Sequence, residues 1–203
     1  MDSKSSLAVL ILAAGASTRL GQSKQLVKVQ NKALVHWQCE LALHVFDNVI
    51  CVLGCQSSAV AAEIGQLSVK TVVNKNWQQG MGSSIAAGIA SLDEQINAVM
   101  IILVDQWLLD ENDLSRVVET HYQHPDSIIV SAYTDSQNAS KGPPVIFPRQ
   151  FFSELEQLNS EQGAKPIIQN NAHRVVKCYV PNGRADLDQP EQLQQLEREF
   201  RRK

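Results

Sequence analysis

The sequence has few cysteines and no excess of positive charge, and each shortage excludes a class of protein. Its four cysteines form no Cys-x-x-Cys pair and have no metal-finger spacing with the histidines, so neither a disulfide scaffold nor a zinc finger is expected. Three of them lie in apolar segments, which favours small buried thiols. The formal net charge is -3 at pH 7. Without a basic field, binding to nucleic acid is not expected.

A long hydrophobic run is also missing. The first apolar run, 7–13, follows a polar start and ends at a glycine-containing loop, so it is too short for a signal or membrane segment. With 44% hydrophobic and 19% charged residues, the 203-residue chain has the composition of a globular protein and is long enough to bury a core. We therefore expect a single domain over 1–203, in the cytoplasm and without membrane contact.

Five apolar runs rich in β-branched residues indicate strands, because turn signals bound each run and segments with helical spacing separate them. The runs are 7–13, 48–54, 69–74, 98–104 and 127–132. Continuous rather than alternating hydrophobicity is typical of strands buried on both faces, as in parallel sheets with crossover helices. The sequence thus predicts a three-layer α/β/α sandwich with a Rossmann-like, mostly parallel sheet.

The pattern loosens after about residue 134. A polar loop over 135–144 ends in the turn signal Gly-Pro-Pro at 142–144. Beyond it, the sequence predicts a short strand, a helix from Pro148, a further strand and a polar helix from Pro190; the two strands span 145–147 and 174–180. No repeat or clear linker divides the chain.

The loop over 12–21, with the letters LAAGASTRLG, lies where open α/β sheets bind ligands, at the carboxyl end of a strand. Its glycines let backbone N–H groups approach phosphate oxygens, and Arg19 and Lys24 supply charge that would neutralise a triphosphate. A simple strand-to-helix turn explains the glycines equally well. The loop fails the P-loop pattern, since Gln22 stands where lysine is required, and it lacks the second glycine of the dinucleotide pattern.

Three aspartates indicate a site for a divalent cation. Asp105 directly follows the apolar run 98–104, so it emerges at the same edge of the sheet as the glycine loop. Asp186 and Asp188 are two residues apart in an extended segment, so their side chains point the same way. Because Mg²⁺ is held by one or two carboxylates with phosphates and water, Asp105 and one of the pair meet that demand. Capping of a turn or helix is the alternative for each carboxylate.

The sequence has no pattern typical of nucleophilic catalysis that would be an alternative to the cation site. The five histidines are scattered over predicted helices and helix ends, and no Ser/His/Asp order is tied to an elbow motif. We interpret the histidines as surface or packing residues.

The pattern LAAGxxxRLGxxKxL, which begins at Leu12, resembles the signature loop of MobA-like nucleotidyltransferases and is most similar to that of the molybdenum cofactor cytidylyltransferases. Further blocks resemble the family in the same order over nearly the whole chain. They begin at Asn74 (NKNWQQGMGSSI), Val104 (VDQ), Gly142 (GPP), Gly163 (GAK) and Asp186 (DLDQPE).

The resemblance implies the fold of nucleotide-diphospho-sugar transferases, in which about 1–134 binds nucleotide and about 135–203 faces the acceptor. It implies a Mg²⁺-dependent enzyme that transfers CMP from CTP to molybdopterin, releases pyrophosphate, and makes transient contact with molybdoenzymes or cofactor-delivery proteins. The nucleotide-binding residues it implies are Leu12, Ala13, Ala14, Gly15, Arg19, Lys24, Gly80, Met81, Gly82 and Ser83. The catalytic residues it implies are Arg19, Lys24 and Asp105, and the metal ligands are Asp105, Asp186 and Asp188.

Departures from the family pattern leave the substrates open. The usual Gly-Asp-Gln-Pro is replaced by VDQW at 104–107, so the indole of Trp107 is expected to reshape the acceptor pocket. In a later loop, Glu161 lies in a segment that often reads Gly-Asp. Ala14 favours cytidine, because related guanylyltransferases have glycine there. The alternatives are guanylyl transfer to the same cofactor, a sugar-1-phosphate nucleotidyltransferase, and a regulatory module that binds nucleotide without turnover, an alternative suggested by Trp107.

Overall fold

The computed structural model describes residues 6–136, 139–187, 189 and 191–200. The strands in this part of the chain are β1 (Leu7–Ala13), β2 (Lys28–Val29), β3 (Lys32–Ala33), β4 (Asn48–Leu53), β5 (Lys70–Val73), β6 (Ala98–Leu103), β7 (Ile128–Ala132), β8 (Lys141–Pro148) and β9 (Val175–Tyr179). The α-helices are α1 (Leu34–Val45), α2 (Ser57–Ile64), α3 (Met81–Ile89), α4 (Glu111–Gln123), α5 (Phe152–Glu156), α6 (Lys165–Asn170) and α7 (Gln192–Phe200). None of these helices has both the length and the apolar character that crossing a membrane requires.

Seven of the strands form one sheet in the order β5-β4-β1-β6-β8-β7-β9. β1 lies between β4 and β6 and is parallel to both, so Leu10 is opposite Ile50 on one side and Ile101 on the other. β8 is antiparallel to β6 and β7, and β9 is parallel to β7. The predicted α/β fold with a mostly parallel sheet is confirmed, with β8 as the reversed strand.

The continuous hydrophobicity of β1 arises because both faces of the sheet are covered. Every residue of β1 is buried. Its odd-numbered residues, such as Val9 and Ile11, pack in a cluster with side chains of α1, α2 and α4. Its even-numbered residues, such as Leu10, pack in a second cluster with side chains of α3, α5 and α6. Burial of each such aliphatic side chain stabilises the fold by about 1.5–3 kcal/mol.

The turn expected at 142–144 is wrong, because β8 begins at Lys141 and includes these residues. Prolines lack the N–H that a regular strand position requires and are found in strands mainly at edges and bulges. Here the pairing register between β7 and β8 shifts at Val130 and Ser131, so the prolines lie at an irregularity. The hydroxyl of Ser131 donates to the carbonyl oxygen of Pro144 at 2.6 Å. The small β2–β3 hairpin also had no counterpart in the predicted elements.

Three of the four cysteines are buried, as expected: Cys39, Cys51 and Cys178. The fourth, Cys55, is partly exposed, and all four are free thiols. Its hydrogen bond to Cys39 and its burial raise the pKa of the Cys51 thiol, so this thiol stays protonated and acts as core packing.

Candidate active site

A cavity of about 420 Å³ opens where β1 and β6 end. Its walls come from the loop after β1, from Lys24 and Gln25, from the turn before α3, from Asp105 after β6, and from Glu161. Its volume lies within the range of roughly 300–1,000 Å³ that is usual for small-molecule sites. The carboxyl ends of parallel strands meet at this edge, so the expected position of the site agrees with the fold.

Gln25 holds the loop after β1 in shape. This buried side chain donates from Nε2 to the carbonyl oxygens of Ala13 at 3.0 Å and Gly15 at 2.7 Å. Its Oε1 accepts a hydrogen bond from the hydroxyl of Ser23 at 2.6 Å. A Cβ added to Gly15 would meet nothing within 4 Å, so the backbone there faces open space. A bound phosphate can therefore approach the loop closely.

The charged centre of the cavity is an ion pair between Lys24 and Asp105. The Lys24 Nζ and the Asp105 Oδ2 are 2.5 Å apart, and the two side chains are 17% and 9% exposed. Arg19 lines the same cavity but is exposed, and no hydrogen bond or ion pair joins its side chain to another described residue. The cavity thus holds a neutralised pair at its base and a second cation at its mouth.

The turn before α3 is held by close backbone packing. Gly80 has a φ of 108°, in the region that favours glycine. A Cβ on Gly80 would lie 2.6 Å from the backbone nitrogen of Glu161, and one on Gly82 would lie 2.8 Å from the carbonyl oxygen of Ser160. The Gly82 N–H donates to that same Ser160 oxygen at 2.8 Å. This packing brings Glu161 to the cavity from far along the chain.

Trp77 forms an aromatic part of the wall. A Cβ added to Gly54 would lie 2.7 Å from the Trp77 Cβ and 2.6 Å from the carbonyl oxygen of Ala14. The absence of a side chain at Gly54 therefore lets Trp77 approach the loop beside Ala14. An aromatic ring in this position can stack on a nucleobase.

Gln106 joins the end of β6 to the segment that carries Asp186. Its Nε2 donates to the carbonyl oxygens of Pro143 at 2.6 Å and Gly183 at 2.9 Å. The hydroxyl of Tyr133 donates to the same Pro143 oxygen at 2.7 Å. We call these four residues, Gln106, Tyr133, Pro143 and Gly183, the carbonyl clamp.

Two predicted metal ligands, Asp105 and Asp186, both affect the pKa of Tyr133 in the carbonyl clamp. Burial raises the pKa of Tyr133 well above its usual value, and the negative charges of Asp186 and Asp105 raise it further. Both carboxylates therefore lie near the same phenol, although Asp186 is exposed. Within the described residues, no group of three or more His, Cys, Asp or Glu side chains could hold a metal ion. A cation here would need phosphate and water ligands as well.

The predicted site residues divide into two groups. Those that line the cavity are Leu12, Ala14, Gly15, Arg19, Lys24, Gly80, Met81 and Asp105. The others among the described residues, Ala13, Gly82, Ser83 and Asp186, are not part of its lining. Ser83 supports the wall from behind, since its hydroxyl donates to the carbonyl oxygen of Gly80 at 2.8 Å. Asp188 lies outside the described residues.

The sequence led us to expect the indole of Trp107 in the acceptor pocket, and the structure places Trp107 outside the cavity that holds Lys24 and Asp105. The backbone N–H of Trp107 donates to the Asp105 carbonyl oxygen at 3.0 Å in a turn after β6. The indole is 3% exposed and packs with Leu34 and Phe200 in a third hydrophobic cluster. It is not among the residues that line the cavity. Trp107 therefore contributes to the packing behind the site.

Several lining residues were missed in the sequence: Gln25, Trp77, Ser84 and Glu161. Gln25 and Trp77 lie within the matched blocks, so their position was a usable signal. Glu161 reaches the cavity only through the packing of its loop on Gly80, which no local pattern reveals.

A mostly parallel α/β sheet with a glycine loop, a lysine and a carboxylate at one edge is typical of nucleotide-binding enzymes. The chain belongs to the family of the MobA-like NTP transferase domain, whose model matches residues 9–175. By family and fold, the protein is a nucleotidyltransferase.

Comparison with known proteins gives relatives over nearly the whole chain. The nicotine blue oxidoreductase of Paenarthrobacter nicotinovorans is 29% identical over 195 residues, which cover 92% of this chain and 94% of that protein. The crystal structure of Rv0371c from Mycobacterium tuberculosis H37Rv is 25% identical with a TM-score of 0.84, and the match covers 97% of this chain and 100% of that one. Rv0371c has also been solved as a complex with manganese, at 24% identity, a TM-score of 0.78 and coverage of 95% and 98%.

The fold is shared more widely. The molybdopterin-guanine dinucleotide biosynthesis protein A of Archaeoglobus fulgidus is 14% identical, with a TM-score of 0.74, over 97% of this chain and 100% of that chain. At this identity the likeness concerns the fold alone.

Proposed function

We propose that the protein transfers CMP from CTP to molybdopterin and releases pyrophosphate in a Mg²⁺-dependent reaction. The observation that carries the proposal is the Lys24–Asp105 pair at the base of the cavity, 2.5 Å apart, beside a loop whose backbone is open to phosphate. A cation for the leaving phosphates and a carboxylate for a metal ion are thus held together. Nucleotidyl transfer requires both kinds of charge.

The reaction is a direct displacement at the α-phosphorus. An oxygen of the acceptor's terminal phosphate forms the new P–O bond while the bond to the β-phosphate oxygen breaks, and pyrophosphate leaves with that electron pair. Lys24 and Arg19 hold the β- and γ-phosphates, and the loop N–H groups orient the triphosphate. No covalent bond to the protein is needed.

Asp105 and Asp186 are the described residues that would hold the metal ion. Both carboxylates raise the pKa of Tyr133, so each lies near that side chain. Mg²⁺, when bound, would neutralise the phosphate charge at the reacting centre. The manganese complex of Rv0371c supports use of a divalent cation by a relative of this chain.

The preference for CTP over GTP rests on the surroundings of Ala14. The methyl group of Ala14 would be 2.8 Å from a Cβ on Gly54, so it fills space between the loop and Trp77. A smaller space beside the ring favours a pyrimidine over a purine. The choice of molybdopterin rests on the family resemblance, and the Archaeoglobus protein's role in molybdopterin-guanine dinucleotide biosynthesis is consistent with it.

Two alternatives differ in their support. The non-catalytic module rested on Trp107 as an obstacle in the site, and its burial outside the cavity removes that argument. Oxidoreductase activity is favoured by one observation, the name of the relative from Paenarthrobacter nicotinovorans, which matches 92% of the chain. A test must therefore include a redox assay.

The experiment combines each of CTP, GTP, ATP and UTP with Mg²⁺ and either molybdopterin or a sugar 1-phosphate. Pyrophosphate release and the product mass are measured, and oxidation of NADH and NADPH is followed in parallel with quinone-type acceptors. We expect pyrophosphate and a cytidine dinucleotide product with CTP and molybdopterin. Pyrophosphate release with a different nucleotide and acceptor would contradict the proposed substrates. Oxidation of NADH or NADPH without pyrophosphate release would overturn the proposal.

A further inference from the structure

Lys24 connects the loop after β1 to the carboxylate that follows β6. Its backbone N–H donates to the hydroxyl of Ser17 at 3.1 Å, and its backbone carbonyl oxygen accepts from the N–H of Val27 at 3.3 Å. Its side chain reaches Asp105, 81 residues further along the chain, where Nζ lies 2.5 Å from Oδ2. The backbone of Lys24 is therefore anchored at one wall of the cavity, while its charged end lies against another.

The Lys24 ammonium lies on the carboxylate that the proposed function assigns to a metal ion. Mg²⁺ binds a carboxylate oxygen at about 2.0–2.1 Å, so a cation on Asp105 would be a close neighbour of the ammonium. The side chains of Lys24 and Asp105 are only 17% and 9% exposed. Because solvent and salt screen such partly buried charges weakly, the two cations repel each other strongly. Occupation of Asp105 by one cation therefore disfavours occupation by the other.

The ammonium can leave Asp105 without a change in the backbone. A lysine carries its charge on a flexible four-carbon stem. The Ser17 hydroxyl holds the backbone of Lys24, and the side chain of the next residue, Gln25, holds the carbonyl oxygens of Ala13 and Gly15. A triphosphate on this loop carries more negative charge than one carboxylate and lies in the cavity that Lys24 lines. It is therefore the stronger partner for the ammonium.

We propose that Lys24 and a divalent cation compete for the Asp105 carboxylate, and that the phosphates of the nucleotide decide the competition by drawing the ammonium away. The inference rests on the proposed function, in which Lys24 holds phosphates and Asp105 holds the metal ion. A cation alone meets a carboxylate that Lys24 neutralises, so it binds weakly. A cation that enters with the nucleotide meets a carboxylate that Lys24 no longer neutralises. Metal and nucleotide each strengthen the binding of the other.

The test measures the binding of Mn²⁺ alone, which requires neither turnover nor an acceptor. The electron paramagnetic resonance signal of unbound Mn²⁺ is followed in titrations of the wild type, Lys24→Met and Arg19→Met. Lys24→Met removes the charge but keeps an unbranched side chain. We expect it to bind Mn²⁺ at least about tenfold more tightly than the wild type, because a charge-assisted hydrogen bond to Asp105 no longer competes.

Arg19→Met is the matched control, because it removes a positive charge from the same cavity and leaves the Lys24–Asp105 pair in place. Its affinity for Mn²⁺ should rise by no more than about twofold, since the exposed guanidinium is screened. Addition of Asp105→Asn to Lys24→Met should abolish the gain. Lys24→Gln, which is neutral, should also bind Mn²⁺ more tightly than the wild type, and it serves as the test if circular dichroism shows that Lys24→Met does not fold.

Calorimetry measures the coupling between metal and nucleotide, with metal-free CTP and the CTP–Mn²⁺ complex as separate titrants. Mn²⁺ should tighten CTP binding in the wild type, and this effect should be smaller in Lys24→Met. Equal Mn²⁺ affinity of the wild type and Lys24→Met, or an equal rise in Arg19→Met, would overturn the inference and leave the proposed function intact. If the wild type and the variants bound no Mn²⁺ either alone or with CTP, the metal site of the proposed function would be wrong as well.

Discussion

The two cations of the active site differ in how they are held. The Lys24 side chain is mostly buried and paired with Asp105, whereas Arg19 is exposed at the mouth of the cavity. Lys24 is therefore positioned before substrate arrives, because its partner fixes the ammonium group. Arg19 must be ordered by the nucleotide that it binds, which costs side-chain entropy.

This difference makes Arg19 the better residue for a binding test. We expect Arg19→Ala to raise the KM for the nucleotide by about tenfold, since a charge-assisted hydrogen bond to phosphate is lost. The free energy of unfolding should change by less than about 0.5 kcal/mol, because the exposed side chain has no partner among the residues that the structure describes. Steady-state kinetics and denaturant unfolding measure the two quantities, and Arg19→Lys is the matched control. Unchanged kinetics would remove Arg19 from the site.

At the scale of the structural element, the turn before α3 depends on close contact with the loop that carries Glu161. We predict that Gly80→Ala destabilises the protein by about 2 kcal/mol, because the new methyl group meets backbone atoms and the φ of 108° is strained. Gly15→Ala is the matched control, since its methyl group meets nothing within 4 Å. Thermal unfolding compares the two.

The control variant also reports on the site. Gly15→Ala should keep wild-type stability but weaken nucleotide binding, because its methyl group enters the cavity. Equal stability of the two variants would show that the packing of the Glu161 loop on Gly80 is not required.

The carbonyl clamp is the second element that the structure adds. In Gln106→Met, the hydrogen bonds to the Pro143 and Gly183 carbonyls and the one accepted from the Leu103 N–H are lost at similar side-chain volume. We expect a loss of about 2 kcal/mol in stability and a lower kcat with little change in nucleotide KM, because the segment leading to Asp186 is released. Tyr133→Phe, which removes one hydrogen bond to Pro143, should have a smaller effect. A change in KM alone would contradict a positioning role.

The sequence predicted β1, β4, β6 and β7 closely, because residues buried on both faces give continuous apolar runs. The run over 98–104 and strand β6 (Ala98–Leu103) differ by one residue. Strand β8 was only partly predicted, since its first residues, Lys-Gly-Pro-Pro, have the composition of a turn. Their strand conformation depends on pairing with β7, a contact between segments that local sequence does not encode.

The sequence could predict the site residues that lie close to the ends of predicted strands. Asp105 and Lys24 could be placed because each is close in sequence to the end of a predicted strand or its loop. Trp107 could not, since the direction of its side chain depends on one turn after β6. The segment of Glu161 could be matched to a family loop, but its approach to the cavity depends on packing against the turn before α3.

For the whole molecule, the pH dependence of stability has an identifiable contribution from His121. Burial lowers its pKa below the ordinary value of 6.5. As the pH drops below about 6.5, His121 is protonated more readily in the unfolded chain than in the folded protein. The free energy of unfolding should therefore fall. We expect His121→Phe to reduce this slope between about pH 7 and pH 5. Denaturant unfolding at each pH measures it.

The central claim is that the cavity at the ends of β1 and β6 carries out metal-dependent nucleotidyl transfer through Asp105. The most direct test compares pyrophosphate release from CTP, with molybdopterin and Mg²⁺, for the wild type, Asp105→Asn and the exposed-carboxylate control Glu154→Gln. We predict that Asp105→Asn lowers kcat/KM by at least about 100-fold while its circular dichroism remains that of the folded protein, and that Glu154→Gln retains wild-type activity. Pyrophosphate release by Asp105→Asn at the wild-type rate would contradict the claim.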